Sequence, residues 1–194
     1  MGRVHRTARD NRPSVALSLC VTVTMLSLWS VWCTVHAQEP PQTSGIDFDS
    51  ITFSSTRTRS GTVKFTHGEY RERIVPGSAL ELVVTLTGHR AIGVVNGAPI
   101  AGLVMATDRG GSGIFYDLAL LIKRAGGWTH VDTRFLGDRV KIRSVALRGN
   151  EMLIDMTTHG SGDPMCCPTR QVRRAFAIDT GRLIAVETNG GGGT

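Results

Sequence analysis

The chain predicts a mainly β fold: a single domain of antiparallel hairpins, strung as a meander, with little helix. Three observations carry that prediction. Apolar residues come in short runs or at every second position, not at the three- and four-residue spacing of a helix. The runs favour β-branched residues, as in residues 80–86 (LELVVTL). Glycine-centred turn signals separate them: Ala125-Gly126-Gly127, Arg148-Gly149-Asn150 and Asp179-Thr180-Gly181.

In chain order, 80–86 is the first predicted strand and 101–107 (AGLVMAT) the second, the latter weakened by Gly102. Residues 114–123 and 128–135 form a hairpin about the Ala125-Gly126-Gly127 turn. The preceding Asp108-Arg109-Gly110-Gly111-Ser112-Gly113 superficially resembles a phosphate loop or nucleophile turn. It lacks the Walker lysine and runs into a strand, so it reads as a hairpin loop. Within 140–147 the apolar phase slips from Val140/Ile142 to Val145/Leu147, which predicts a bulge near Ser144 or burial on both faces. Met152, Ile154 and Met156 alternate with Leu153, Asp155 and Thr157, placing Asp155 on the opposite, solvated face. Residues 171–178 and 183–186 make the last hairpin, with Arg173 and Arg174 on opposite faces.

The chain has 194 residues, 41% of them hydrophobic, which excludes a disordered protein. Arg3, Arg6, Arg9 and Arg12 precede an interrupted apolar stretch over 15–31, and Val35 and Ala37 are small. This is the pattern of a secretory signal peptide over 1–37, cleaved between Ala37 and Gln38. The stretch is shorter than the ~20 residues that comfortably span a bilayer. A flexible leader over 38–45, a β domain over 46–188 and a disordered glycine-rich tail over 189–194 complete the predicted organisation. The formal net charge of +6 falls to +3 once 1–37 is removed, so nucleic acid is not an expected partner. Export predicts a secreted or periplasmic protein.

The exported chain keeps His67, His89, His130 and His159, without H-E-x-x-H or paired C-x-x-C spacing. No acid/base or nucleophile/base pair can be named, so no catalytic residue and no cofactor are expected. The informative segment runs from His159 through Asp163-Pro164-Met165-Cys166-Cys167-Pro168 to Thr169. Cys166 and Cys167 are the cysteines left after export, and the compartment is oxidising. A bond between them closes a strained ring, because neighbouring Cα atoms sit ~3.8 Å apart, below the usual disulfide window of roughly 4.4–6.8 Å. Pro164 and Pro168 restrict the backbone on either side.

Three readings stand for this segment. One is a vicinal Cys166–Cys167 disulfide inside a ligand-contact loop of His159, Asp163, Pro164, Met165 and Pro168. A second has two free or intermolecularly paired thiols. The third is a soft-metal, copper-type site using His159, Met165, Cys166 and Cys167. Asp163 before a proline predicts local backbone bonding, and His159 is expected to cap the loop through backbone hydrogen bonds.

The Cys-Cys-Pro element, with Leu136-Gly137-Asp138-Arg139-Val140, His159, Asp163-Pro164 and Gly110-Gly111-Ser112-Gly113, is similar to the LppP/LprE lipoproteins, a group of small exported bacterial proteins. The resemblance implies export and the vicinal cysteines, and brings no activity with it. The resemblance implies an Asp/Asn/Gly-rich, calcium-like loop before the central strand, where this chain has Ile92-Gly93-Val94-Val95-Asn96-Gly97-Ala98-Pro99 without a carboxylate. A lipidation cysteine is missing, since Trp32 precedes Cys33. The functional expectation is an exported, non-enzymatic envelope or periplasmic protein that binds or scaffolds through the vicinal-cysteine loop, its partner an envelope component or small ligand. The alternative is a thiol-redox or soft-metal protein using the same cysteines.

Overall fold

The computed structural model describes residues 45–186. The predicted signal peptide over 1–37, the leader up to residue 44 and the tail over 189–194 lie outside the described residues. The described chain is mainly β, as the sequence predicts, and the sheet pairings within it are antiparallel. After a short 3-10 turn at Phe48–Ser50, strands β1 (Thr52–Ser54) and β2 (Thr62–Lys64) form a small hairpin. A five-stranded meander follows: β3 (Glu69–Arg73), β4 (Glu81–Val95), β5 (Ala98–Asp108), β6 (Ile114–Arg124) and β7 (Gly127–Asp138). A second, four-stranded meander comprises β8 (Lys141–Arg148), β9 (Glu151–Thr158), β10 (Arg170–Asp179) and β11 (Arg182–Val186).

The five-stranded sheet is the middle layer, and its two faces feed separate apolar clusters. Val104, Leu118, Leu120 and Leu136 pack against Met152, Ile154, Met156, Phe176 and Leu183 of the four-stranded sheet. Leu82, Leu103, Met105, Ala119 and Leu121 pack on the other side against Ile51, Phe53, Val63 and Phe65. Burial on both faces explains why β5 and β6 read as unbroken apolar runs, while β9 alternates strictly. The expected placement of Met152, Ile154 and Met156 on one buried face holds.

Gly102 has a packing reason to sit inside a strand. A Cβ built there falls 2.5 Å from Cε of Met152, so the missing side chain leaves room for the end of the Met152 side chain from the second sheet. The phase slip in β8 is a bulge: Ile142 pairs with Met156 and Ser144 with Asp155, leaving Arg143 as the extra residue. Strand β7 holds two bulges that its sequence does not announce. Pairing skips Val131 and Leu136, both of which turn toward the four-stranded sheet and pack in its apolar cluster.

Three strands escaped sequence reading. β1 and β2 are three residues each and bury one side chain apiece, Phe53 and Val63; β3 (EYRER) buries none fully. Such segments carry too few apolar positions to show a period. The β4–β5 hairpin turns on Asn96-Gly97 with φ of 50° and 78°, the left-handed pair a two-residue hairpin requires. That dipeptide was a legible signal for a turn.

Candidate functional site

The 159–169 segment joins β9 to β10 and is organised by one carboxylate. Asp163 Oδ2 accepts from the backbone N–H of Gly160 at 2.7 Å and of Thr169 at 2.8 Å, and Oδ1 accepts from the Thr169 hydroxyl at 2.9 Å. Asp163 therefore ties together the two ends of its own loop, which is the local backbone role expected of it. The Gly160 and Thr169 N–H groups, followed by the Thr169 hydroxyl, hold its carboxyl below the usual range. Inside the loop, the Cys167 N–H donates to the Pro164 carbonyl at 3.0 Å, closing a turn with Met165 and Cys166 at its corners.

The Cys166 and Cys167 sulfurs lie at disulfide distance, with Cα atoms 3.8 Å apart. Pro164, Met165, Cys166 and Cys167 are exposed, Met165 to 66%, whereas Pro168 is buried and anchors the far side. His159 departs from expectation. Its Nε2 is buried with no hydrogen-bond partner, while Asp163 accepts from the backbone N–H groups of Gly160 and Thr169. Among the described residues no three His, Cys, Asp or Glu side chains gather as a metal-binding group.

Arg139 links this loop to the rest of its end of the domain. Its guanidinium pairs with Asp138 at 2.6 Å and points an N–H toward Sδ of Met165 at 3.8 Å. Its backbone N–H donates to the Ile114 carbonyl at 2.7 Å, and Asp138 Oδ1 accepts from the Ile114 N–H at 3.0 Å. The glycine loop before Ile114, the β7–β8 connection and the cysteine loop thus meet at one end of the two sheets. Asp155 lies on the expected outward face, where it is ion-paired with Arg173 at 2.7 Å and hydrogen-bonded to Ser144, because Arg173 is its direct cross-strand neighbour. Arg173 and Arg174 do face opposite ways, and Arg174 donates to the Phe135 carbonyl at 3.3 Å.

Sequence reading missed a second feature, a cleft of about 460 Å³ between the β1–β2 hairpin and the rim of the five-stranded sheet. Arg57 lies in its wall. Its guanidinium makes a two-point contact with Asp117, at 2.7 and 3.1 Å, and stacks on the rings of Phe115 and Phe135, 4.9 and 4.6 Å from their centroids. Both members of the pair are largely buried, with side chains 21% and 11% exposed.

Beside them, His130 is held in one tautomer. Nδ1 accepts from the Ser54 N–H at 3.2 Å, so the proton sits on Nε2, which donates to the Asp132 carbonyl at 2.9 Å and to Thr133 Oγ1 at 2.8 Å. Burial pushes the His130 pKa down, against a smaller upward pull from the Asp132 carbonyl. Sixty positions separate Arg57 from Asp117, and no local pattern joins them.

The fold and these two features define an antiparallel two-sheet β domain with an N-terminal hairpin covering part of its outer face. No family model, no curated protein and no solved structure matches the chain.

Proposed function

We propose that the chain is an exported, non-enzymatic protein of the cell envelope or periplasm that binds or scaffolds a partner through the 159–169 loop. The observation that carries this reading is the loop's order: Asp163 clamps both ends while Pro164, Met165 and the two cysteines face solvent. A contact surface already fixed in shape loses little conformational entropy on binding, and methionine is enriched at interfaces. The likeness to the LppP/LprE lipoproteins supports export and the cysteine pair within this reading.

A photo-crosslinking side chain placed at Met165 of the exported protein tests the loop. Adducts should form there, be absent from the same probe at the exposed Ile184, and fade when Asp163→Ala releases the loop. Equal labelling at both positions, or none at Met165, would reject a binding loop. N-terminal sequencing of the exported chain should begin at Gln38; recovery of a chain that retains 15–31 would replace export with membrane anchoring.

Thiol exchange is the second reading, and exposure of both cysteines favours it, since an external thiolate needs access to sulfur. Equilibration with glutathione buffers separates the two. A uniformly oxidised pair across cellular potentials fits the structural ring, whereas a midpoint within that range fits a redox site.

A further inference from the structure

We propose that the cleft beneath the β1–β2 hairpin is a binding site for a neutral saccharide. The proposal is separate from the cysteine-loop reading and stands on other residues. The cleft's volume, about 460 Å³, lies in the roughly 300–1,000 Å³ range of small-ligand pockets. Its chemistry is mixed. Val63, Val84 and Met105 lie buried beneath its floor, and the half-exposed ring of Phe135 stands at its rim.

The charges exclude the simpler ligand classes. Arg57 is neutralised by Asp117 at hydrogen-bond distance, so an anion finds no uncompensated positive charge there. The Asp132 carboxylate is already engaged by the Thr133 N–H, the Leu183 N–H and Arg134, so a cation finds no free carboxylate. His130 is neutral near pH 7 because both ring nitrogens are committed and burial disfavours its charged form.

What remains available is a set of paired donors and acceptors. Arg57 uses Nε–H and one Nη2–H on Asp117, which leaves its other guanidinium N–H groups for a ligand. Each Asp117 oxygen keeps a second lone pair beside them. Thr133 Oγ1 already accepts from His130, so its own proton is left to donate. A guanidinium edge next to a carboxylate edge matches two adjacent hydroxyls, one accepting and one donating. The C–H face of a sugar ring fits the half-exposed Phe135 ring at the rim. The donors are held in place in advance, Arg57 by two rings and a carboxylate, so little ordering is left for the binding event.

The test is an amide-shift titration of the isotope-labelled exported protein with glucose, mannose, galactose, arabinose and trehalose, each to 100 mM. At least one sugar should move the amides of Ser55, Arg57, Asp117 and Thr133 saturably while leaving 163–168 unmoved. Asp117→Asn should weaken that sugar at least tenfold. Because this variant disturbs a largely buried pair, Thr56→Trp serves as the second: Thr56 is exposed on the cleft wall, and an indole there should block binding with the fold intact. No shift with any of the sugars overturns the proposal, as does a cleft that answers to inorganic phosphate or glucuronate instead. Binding that survives Thr56→Trp also overturns it.

Discussion

The two faces of the five-stranded sheet are covered in different ways. One is sealed by a second sheet through large side chains that interdigitate, with Leu118, Leu120, Met152, Ile154 and Met156 fully buried. The other is covered by a hairpin of two three-residue strands, whose apolar anchors are Phe53, Val63 and Phe65. Polar ties hold that hairpin as well: Ser54 to His130, Arg57 to Asp117, and Asp49 to the His67 N–H at 2.8 Å. The sealed face has area enough to define the fold. The hairpin side leaves a cleft, and its polar ties make it sensitive to pH and to single substitutions.

The largest effect is expected on the sealed face. Leu120→Ala should cost about 3–4 kcal/mol, since the side chain is fully buried between two sheets that cannot collapse independently. Urea unfolding should remain a single transition. Two separated transitions would mean the four-stranded sheet unfolds alone, and the two faces would then be equivalent.

Phe53→Ala should act locally, removing about 3 kcal/mol of hairpin docking through loss of its contacts with Phe65 and His130. Native-state hydrogen exchange should show β1 and β2 opening below the global unfolding free energy while β5 and β6 stay protected. Uniform loss across all strands would break the distinction.

Arg57→Ala should cost about 2 kcal/mol, because it leaves Asp117 poorly solvated and without its charged partner. Arg57→Ala with Asp117→Asn should recover part of that loss in a double-mutant cycle; strict additivity would mean the pair is not coupled.

The smallest effect is that of acid on His130. Its folded pKa is depressed by burial, so its contribution to docking is complete above the unfolded histidine value of about 6.5 and is lost as pH falls below that toward the folded value. A proton on Nδ1 would also oppose the Ser54 N–H. Protection of the Ser54 amide, relative to its intrinsic exchange rate at each pH, should therefore fall between neutral and mildly acidic pH more than protection at Leu120. His130→Gln should remove that difference, and an unchanged difference would assign it to another group.

Much of the fold was legible because its strands are long, hairpin-connected and punctuated by glycine. The bulge in β8 showed in the sequence as a phase slip between Ile142 and Val145. Asp163 was readable too, since a carboxylate before proline has nearby backbone donors within reach. His159 misled, because loop capping is a competition and sequence does not say which side chain wins. The Arg57–Asp117 pair left no trace, as its members come from a loop and a strand that meet only in the folded state.

The sequence by itself determined the β class, the hairpin order and the adjacency of Cys166 and Cys167, all of which follow from local patterning. Tertiary structure decided what each face of the middle sheet meets. β7 shows why. By strict alternation His130 would face opposite to Thr133 and Phe135, but the extra residue at Val131 shifts the phase and turns all three toward the hairpin. A bulge is set by the competing demands of two packed layers, and here Val131 and Leu136 are drawn to the apolar side. That demand appears only once the layers are assembled, and with it the cleft.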